Sequence, residues 1–562
     1  MRAPGRSCSP SRPTKRSNTS GRSRSASSPS WTARPMEFAT LLSRLPGRQK
    51  NSISSFEGGR VVQRTHATVH DDVRAACAAL TAWGVKPGMR VGIRSPNSYF
   101  WIVHDLALIE LGAVSIAFTD DFANTSAREL QERYALALLL IPASERAKHP
   151  AEDTFLAGLG GENPGVRAVD VGAADAADAA ERPWRIFSSG SSAGLKGLVM
   201  SKRGIEASVA AFAEAVVPRA DDCLLLFLPI SNFQQRLMYY AALWYGFDLI
   251  VTDPNRLFRA LKELRPTILI APPTLYEAVE TRFHNLPRGA RLAATAGAAL
   301  ASVLPVQAAR EKLARLIFKQ VYEMLGGRMR LMVTGMAPIK RSTLNLFARM
   351  QLPLFETYGL IESGSVSLNL PGAHRVGSVG RLLSGVQVDI AEDGELIVRR
   401  EHPMAVSYFE GAPGESERTF LGDGRVATGD IGRVDKDGYL YLVGRKKEII
   451  VTAGGEKVHP ESVEAEIDAC PDVAKSVVFA SPGAPSLTAV VLPKDPKDLD
   501  ARARIEGFIE ALGERHHLMN VGKVIFTDIV FTRENGFLRP NLKLDRKQIV
   551  AHFHSQSEEA AA

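Results

Sequence analysis

A run of serines, glycines and one lysine stands out between Ile186 and Gly204, in the sequence IFSSGSSAGLKGLVMSKRG. Clustered glycines let the backbone adopt positive φ, so that successive N–H groups can point at one centre and hold an anion. Serine hydroxyls add hydrogen-bond donors, and a lysine adds a mobile positive charge. This combination suits a polyphosphate, although a plain flexible loop is the second interpretation of the segment taken alone. The candidate phosphate-binding residues are Ser189, Gly190, Ser191, Ser192 and Lys196.

The stretch Phe355–Gly364, with the sequence FETYGLIESG, holds residue types that suit the other parts of a nucleotide. An aromatic residue beside a glycine, here Tyr358 and Gly359, can lie against a flat ring. The carboxylate of Glu362 is a hard oxygen ligand of the kind that Mg²⁺ takes alongside phosphate groups. Taken alone, this stretch is more typical of a turn.

Two later stretches add a carboxylate and three cations. Asp430 offers a carboxylate that suits the neighbouring hydroxyls of a ribose. Arg445 and Lys447 follow in the segment GRKKEI, and Lys543 lies between apolar neighbours in GFLRPNLKLDR. A solvated surface charge explains each of these residues singly, whereas the order and spacing of all four stretches along one chain favour a nucleotide site.

Charge is concentrated at the start of the chain. The 562 residues carry a formal net charge of +8, and residues 1–35 contain eight Arg or Lys and no acid, so the remainder is neutral. We therefore expect no nucleic-acid partner. The first 35 residues are rich in Ser, Arg and Pro, which predicts a disordered tail. We expect the protein proper to begin at Met36, and a transit peptide is the alternative.

The cysteines and the apolar runs indicate in which cellular compartment the protein is expected. Cys8, Cys77, Cys223 and Cys470 are scattered and form no metal-binding spacing, which suits the reduced cytoplasm. The longest apolar runs are about half the length that spans a bilayer. We expect a cytoplasmic protein with at most peripheral membrane contact.

Strand and helix patterns alternate over most of the chain. Leu224–Leu228, Asp248–Thr252 and Thr267–Ala271 are short apolar runs typical of buried strands, and helical stretches follow at Asn255–Leu264 and Thr274–Phe283. This order predicts an α/β fold with doubly wound, mainly parallel sheets that have helices on both faces.

The pattern changes after about residue 375. Gly394–Arg399, Val426–Gly432 and Tyr439–Val443 predict antiparallel strands joined by tight turns, as in a distorted β-barrel. From Glu461 onward a small α+β segment follows. Its expected elements are helices at Glu461–Ala469 and Ala501–Met519 and strands at Val473–Phe479, Leu487–Leu492 and Val524–Phe531. We expect a large N-terminal domain over residues 36–444 and a small, mobile C-terminal lid domain over 445–562, with a hinge near Lys447.

In combination these motifs resemble the adenylate-forming superfamily, which includes acyl-CoA synthetases, and the resemblance covers about residues 40 to 550. Within the superfamily, the chain is most similar to the AMP-forming long-chain fatty acyl-CoA synthetases. That refinement depends on five segments: Leu228-Pro229-Ile230 running on to Gln235-Arg236, Arg265-Pro266-Thr267 with Pro273–Glu277, Gly444–Ile449, Gly454–Glu461, and Leu542–Arg546.

The resemblance implies two reaction steps that use ATP, Mg²⁺ and coenzyme A. A carboxylate, expected to belong to a fatty acid, attacks the α-phosphate of ATP and gives an acyl-adenylate and pyrophosphate. A thiol then displaces AMP. The serines and Lys196 would hold the departing phosphates, Glu362 the metal ion, and Asp430 with Arg445 the ribose. Lys543 would stabilise the charge that develops at the α-phosphate.

The resemblance also assigns the ring and acyl pockets. Tyr358 and Gly359 would contact adenine, with Gly335 and Ala337 of the GMAP segment shaping the adenine and acyl pockets. Asn232, Phe233 and Gly335 would flank the acyl group. Lys447 would serve as the hinge about which the lid carrying Lys543 moves between the two steps.

Five departures from the family pattern affect these expectations. Ala193 and Leu195 stand where the phosphate loop usually has Gly and Pro, and Ile361 stands where a threonine usually touches the α-phosphate. Losing a hydrogen bond to a charged group costs about 1.5–3 kcal/mol, so we expect a slower or compensated enzyme. Asn232 and Gln235 replace His and Glu beside the acyl pocket, which leaves the acyl group undefined.

Two alternatives stay open at the level of sequence. The thiol could belong to an acyl carrier protein in a biosynthetic pathway, since the bond chemistry is identical. The chain could also be a degenerate homologue that binds an acyl group or a nucleotide without turnover, as Ile361 and Ala193 would suit. The retained Lys196, Glu362, Asp430, Arg445, Lys447 and Lys543 speak against the second alternative.

Overall fold

The computed structural model describes residues 34–189, 195–451, 457–480, 486–515, 521–532, 534–538 and 544–559, apart from the side chains of Ser189 and of residues 555–559. Twenty-six strands lie in these ranges: β1 Ser52–Glu57, β2 Arg60–Thr65, β3 Arg90–Ile93, β4 Val114–Ala117, β5 Leu138–Pro142, β6 Leu156–Leu159, β7 Trp184–Ser189, β8 Leu195–Met200, β9 Cys223–Leu226, β10 Asp248–Val251, β11 Ile268–Ala271, β12 Leu331–Thr334, β13 Leu354–Leu360, β14 Gly364–Leu368, β15 Arg381–Leu382, β16 Gln387–Ile390, β17 Glu395–Arg399, β18 Ala405–Glu410, β19 Phe420–Gly422, β20 Arg425–Val434, β21 Leu440–Arg445, β22 Ile450–Val451, β23 Lys457–Val458, β24 Val473–Phe479, β25 Leu487–Pro493 and β26 Val521–Phe526.

Eighteen α-helices accompany them in the same described ranges: α1 Phe38–Leu41, α2 His66–Ala82, α3 Tyr99–Glu110, α4 Ala127–Tyr134, α5 Ala143–Arg146, α6 Ala176–Glu181, α7 Lys202–Val216, α8 Phe233–Tyr245, α9 Leu257–Leu264, α10 Pro273–His284, α11 Arg288–Ser302, α12 Gln307–Ile317, α13 Lys319–Met324, α14 Arg341–Arg349, α15 Glu415–Thr419, α16 Pro460–Ile467, α17 Leu499–Arg515 and α18 Arg546–Glu559. None of these helices combines the length and the apolar character needed to cross a bilayer.

Two large sheets form the body of the fold. The nine-stranded sheet has the order β15-β14-β13-β12-β11-β9-β10-β1-β2, and its six strands from β13 to β1 run parallel. The seven-stranded sheet has the order β18-β8-β7-β4-β3-β5-β6 and is parallel from β7 to β6. In both sheets the strand order reverses part-way, and ligands of such folds bind beyond the carboxyl ends of the strands at that reversal.

Helices cover both faces of these sheets, as the sequence predicted. The largest core cluster joins the two sheets through α2, α3, α7 and α8. A second cluster packs α9, α10 and α14 on the opposite face of the nine-stranded sheet, and a third packs α4 on the opposite face of the seven-stranded sheet. Because both faces are buried, β9, β10 and β11 read CLLL, DLIV and ILIA, without alternation of polar residues.

The later strands are antiparallel, also as predicted. A five-stranded sheet joins β16, β17, β20 and β19, with β21 paired to β20. The C-terminal part has a three-stranded sheet of β24, β25 and β26, where β24 pairs antiparallel and β26 parallel with β25. One prediction was wrong in extent: the last strand ends at Phe526, and Phe531 instead packs beside Phe537 at a ring distance of 5.6 Å.

Candidate active site

A crevice of about 2470 Å³ opens at the carboxyl ends of the parallel strands. Leu228 follows β9, Pro272 follows β11 and Gly335 follows β12, and all three line the crevice. The seven-stranded sheet contributes Ser188 at the end of β7. The fold therefore gathers the ends of both sheets around one space, where open α/β sheets place their ligands.

The predicted phosphate loop joins β7 and β8, which form an antiparallel hairpin in which Ser188 pairs with Lys196. The described lysine side chain lines the crevice. Residues 190–194 lie outside the described residues, and so does the side chain of Ser189. The expected contributions of Gly190, Ser191 and Ser192 therefore stay predictions from sequence.

The described phosphate-loop lysine has a carboxylate partner. Nζ of Lys196 lies 2.6 Å from Oε1 of Glu415 and 5.0 Å from the centre of the Tyr408 ring. Burial raises the pKa of Glu415, but the hydrogen bond and charge of Lys196 outweigh burial, so that this pKa lies below its ordinary value. Lys447, the predicted hinge residue, is exposed and lies 3.9 Å from the same carboxylate oxygen. Glu415 thus lies between Lys196 and Lys447, at the start of the C-terminal part.

Glu362 is the hydrogen-bond partner of Tyr408. The Tyr408 hydroxyl donates a 2.8 Å hydrogen bond to Oε1 of Glu362, and the peptide oxygen of Glu362 accepts from the N–H of Ala405. Burial, followed by the charge of Glu362, raises the pKa of Tyr408, so the phenol stays a donor.

The described residues contain no cluster of three or more potential metal ligands. A single crevice carboxylate such as Glu362 fits a Mg²⁺ ion that arrives with its phosphates, because Mg²⁺ is commonly held by one or two carboxylates plus the substrate.

The expected ribose and ring residues lie together. Asp430 and Arg445 are paired positions on β20 and β21, and Nε of Arg445 lies 2.7 Å from Oδ1 of Asp430. The Tyr358 hydroxyl donates to Oδ2 of Asp430 at 2.6 Å. Burial lowers the pKa of Arg445, but the charge of Asp430 outweighs it and the net pKa is raised. The tyrosine ring is thereby held in place with a carboxylate at its edge.

The GMAP segment shapes the wall beside this ring. A Cβ at Gly335 would lie 2.8 Å from Cγ2 of Thr357, so a larger residue does not fit against β13. Gly359 is equally constrained, since a Cβ there would lie 2.8 Å from the peptide oxygen of Gly364. Met336 adopts φ of 72°, a conformation that non-glycine residues rarely take, and Ala337 follows it along the crevice.

The predicted acyl residues separate in the structure. Asn232 lines the crevice and caps α8, with its side-chain oxygen accepting from the N–H of Gln234 at 3.3 Å. Phe233 is fully buried in the core, 5.6 Å from the Trp184 ring, and does not belong to the crevice-lining residues that the structure describes. The first turn of α8 therefore directs these neighbours to different places.

The C-terminal part closes one side of the crevice. Lys543 lies outside the described residues, but Leu538 and Leu544 on either side of that gap form a β-bridge and line the crevice. Nζ of Lys340, which follows the GMAP segment, donates to the peptide oxygens of Val473 and Ala474 on β24. The two parts of the chain are thus in direct contact across the crevice.

Several residues of the site escaped prediction. Glu415 and Tyr408 become relevant only through contacts with distant segments. Glu461, in the first turn of α16, lines the crevice; burial, with the negative charge of Glu448 adding to it, raises the pKa of Glu461 to about 7. Burial also raises the pKa of Glu356 to about 7. Glu356 is the strand partner of Thr334, whose buried hydroxyl has no hydrogen-bond partner. A local sequence pattern could have drawn attention to Glu356 alone, since it directly precedes Thr357 and Tyr358.

A sequence model of the family described as AMP-binding enzyme matches residues 46–405. The chain belongs to the AMP-binding enzyme family. Among its AMP-binding relatives, long-chain-fatty-acid–CoA ligase FadD15 of Mycobacterium bovis is 28% identical, over 88% of this chain and 91% of that protein. Human long-chain-fatty-acid–CoA ligase 1 is 26% identical, over 86% of this chain and 80% of that protein.

Solved structures share the fold of this AMP-binding enzyme. Anthranilate CoA ligase AuaEII in complex with anthranoyl-AMP has a TM-score of 0.71 at 17% identity, over 92% of this chain and 97% of that one. ATP-bound MatB from Rhodopseudomonas palustris has a TM-score of 0.69 at 23% identity, over 92% and 98%. The predicted fold class, a large N-terminal α/β domain with a smaller C-terminal domain, is confirmed.

Proposed function

We propose that this chain is an AMP-forming acid–CoA ligase that activates a long-chain fatty acid. The relatives named above are fatty-acid–CoA ligases aligned over most of the chain. The observation that carries the proposal is the single crevice that brings together Lys196, Glu362, Asp430 and Arg445. A lone cation site or a lone carboxylate would serve many proteins, but this set matches the separate parts of ATP.

The first step needs positioning and charge neutralisation more than covalent help. A carboxylate oxygen of the acid attacks the α-phosphorus, and the bond from that phosphorus to the bridging oxygen of pyrophosphate breaks. We assign Lys196 to the departing phosphates and Asp430 to the ribose hydroxyls, with Arg445, 2.7 Å from Asp430, holding that carboxylate in place. Mg²⁺, held by Glu362 and the phosphates, supplies further charge neutralisation when bound.

In the second step the sulfur of coenzyme A attacks the acyl carbon and AMP departs with the electron pair. We assign Lys543 to the first step, with residues 445–562 acting as a lid that turns near Lys447. Leu538 and Leu544 at the crevice wall support this assignment. The contact between Lys340 and β24 supports a lid that closes on the N-terminal domain, over residues 36–444. Closure would also shield the acyl-adenylate from water.

We further propose a cytoplasmic location. Cys77, Cys223 and Cys470 are buried and unpaired, as suits a reducing compartment.

The proposal is tested by measuring pyrophosphate release with a panel of carboxylic acids, with and without coenzyme A. We expect pyrophosphate and acyl-CoA in equal amounts with long-chain acids. If pyrophosphate forms without a thioester of coenzyme A, and a thioester forms once an acyl carrier protein is added, then that carrier is the thiol substrate in place of coenzyme A. No pyrophosphate with any acid would favour the degenerate homologue and overturn the proposal.

A further inference from the structure

The helical hairpin of α11 and α12, residues 286–319, presents an unusual outer surface. Six of the 18 exposed large apolar side chains in the described residues fall within this short segment. They are Leu286, Leu292, Leu300, Val303, Val306 and Leu316. A cluster of this density on a surface calls for a partner, whereas scattered exposed apolar residues do not.

The large exposed apolar residues of α11 and of its C-cap Val303 share one helical face. Its buried side carries Ala298 and Ala301, while Leu292 is 70% exposed, Leu300 62% and Val303 72%. These three positions recur at steps of eight and three residues, and the exposed Ala296 and Ala299 lie between them on the same face. The solvent side of α11 therefore carries an apolar stripe, beside the exposed Thr295 and Ser302, and this 15-residue helix contains no acidic residue.

Basic residues border the stripe. Residues 286–319 contain six basic residues and one acidic residue, Glu311, a net charge of +5, although residues 36–562 as a whole are neutral. On α12, Leu316 is 75% exposed, and Lys312 and Lys319 lie four residues before and three after it. Arg288 begins α11 and is also exposed. An apolar stripe flanked by cations is the pattern of helices that lie in the surface of an anionic bilayer.

We propose that the α11–α12 hairpin docks the enzyme on an anionic lipid surface, with the Leu292–Leu300–Val303 stripe inserted among the acyl chains and Arg288, Lys312 and Lys319 at the headgroups. The charge favours lipid over a second copy packed stripe to stripe, because that pairing would bring two hairpins of net charge +5 together.

The substrate gives this surface a purpose, and in this respect the inference rests on the proposed function. Long-chain acids partition into bilayers, since each buried CH₂ favours the lipid phase. Docking also has a direct structural link to the crevice. Helix α10 starts at the crevice with Pro273 and Thr274 and ends at His284, and the peptide oxygen of His284 accepts a 3.0 Å hydrogen bond from Arg291 of α11.

Co-sedimentation of the full chain with vesicles tests the inference. One set of vesicles contains phosphatidylcholine alone, and the other contains phosphatidylglycerol as about one in three lipids, which supplies the negative surface potential. We expect binding to the anionic vesicles that falls as salt is raised. Leu292→Gln with Leu300→Gln should weaken binding about tenfold or more, because two apolar side chains leave the lipid. Lys312→Gln with Lys319→Gln should weaken it by a similar factor in low salt only.

Leu499→Gln is the matched control, since Leu499 is 72% exposed and lies on α17, outside the hairpin. Its binding should equal that of the parent protein. Equal binding by the hairpin variants and the control, or no binding to anionic vesicles, would overturn the inference. A dimer in solution that the Leu300→Gln change dissociates would also overturn it, by assigning the stripe to self-association.

Activity separates this inference from the proposed function. With a water-soluble acid and no vesicles, the hairpin variants should keep the parent rate, and only delivery of a long-chain acid in anionic vesicles should be impaired. If vesicles bind but no acid is activated, the proposed function fails and the docking surface stands. If acids are activated and vesicles do not bind, the docking inference fails and the proposed function stands.

Discussion

Nζ of Lys196 and Oε1 of Glu415 lie 2.6 Å apart, in side chains that are 18% and 9% exposed. The lysine that the sequence assigns to the phosphates of ATP is therefore paired with a carboxylate from α15. A triphosphate that enters the crevice meets both charges. We therefore expect substitutions of the two residues to have opposite effects on the reaction with ATP.

Lys196→Met should slow adenylation about a hundredfold, because a charged donor aimed at the departing phosphates is lost. Glu415→Gln should act the other way and lower the KM for ATP several-fold, since removing a nearby negative charge reduces repulsion of the phosphates. Pyrophosphate exchange measures both effects, and the exposed Lys86→Met serves as control. If Glu415→Gln raises the KM for ATP, Glu415 instead holds Lys196 in position.

Asp430→Asn should raise the KM for ATP about tenfold while leaving the KM for the acid unchanged. The reason is that hydrogen bonds from ribose hydroxyls to a charged acceptor are worth about 1.5–3 kcal/mol. 2′-Deoxy-ATP provides a second test. With this nucleotide one ribose hydroxyl is already missing, so the substitution should raise the KM by a smaller factor than it does with ATP. Asp423→Asn, at an exposed turn, is the control. An equal penalty with both nucleotides would place the ribose elsewhere.

Ile361→Thr should raise the single-turnover rate of adenylation about tenfold. Ile361 lines the crevice and packs against the main core, at the position where the resembled family has a threonine directed at the α-phosphate. The introduced hydroxyl would restore one donor to a charged group. Ile361→Val changes the shape in the same way without a hydroxyl and should leave the rate unchanged. Equal gains in both variants would assign the effect to packing.

The sequence predicted the strands that are buried on both faces most accurately. The run Val473–Phe479 is β24 residue for residue, and Thr267–Ala271 misses β11 by one residue. Apolar residues in these runs pack on both faces of the strand, in the antiparallel edge strand β24 as in the parallel strand β11. The overextended last strand shows the limit of this reasoning, because Phe531 is apolar for packing against Phe537 and not for a place in the sheet.

Crevice residues that lie in a local motif were predictable from the sequence. Contacts between segments that are distant along the chain were not. Lys196, Glu362, Asp430 and Arg445 lie in motifs and line one crevice. The ion pair to Glu415 depends on how β8 packs beside β18 and α15, which no local pattern encodes. The resemblance placed Phe233 beside the acyl group together with Asn232, yet Asn232 is the extended N-cap of α8 and Phe233 is the first helical residue, whose side chain lies in the core.

Glu461 makes the stability of the protein depend on pH. Burial raises the pKa of this carboxyl from 4.5 to about 7 in the folded chain, so the folded state binds more protons than the unfolded state between these values. Stability from this group therefore falls as pH rises from about 4.5 to 7 and stays lower above it, by at most about 3 kcal/mol.

Glu461→Gln removes that dependence. We expect the variant to unfold at higher urea than the parent at pH 8.5 and to lose most of this advantage at pH 5. The exposed Glu506→Gln on α17 provides the control and should track the parent at both values. A parent–variant difference that is constant across the range would show that Glu461 titrates normally.

Arg236 and Asp105 form an ion pair of 3.2 Å in which both side chains are fully buried. The hydroxyls of Tyr239 and Tyr240 also donate to Asp105, the latter at 2.5 Å, and the guanidinium of Arg236 lies 4.6 Å from the centre of the Trp101 ring. Removing one member leaves an uncompensated buried charge, which costs about 3–5 kcal/mol. Asp105→Asn should therefore lower the free energy of unfolding, measured with urea, by about that amount.

The double variant Asp105→Asn with Arg236→Met separates charge from packing. Because the uncompensated charge is gone, it should recover much of the lost stability even though the ion pair is absent. This matters for function as well, since Arg236 is the fourth residue of α8, and that helix begins beside Asn232 at the crevice. If the double variant is less stable than Asp105→Asn alone, the arginine stabilises the core through its contacts with the rings of Trp101 and of Phe233, 4.9 Å away, and not through the ion pair.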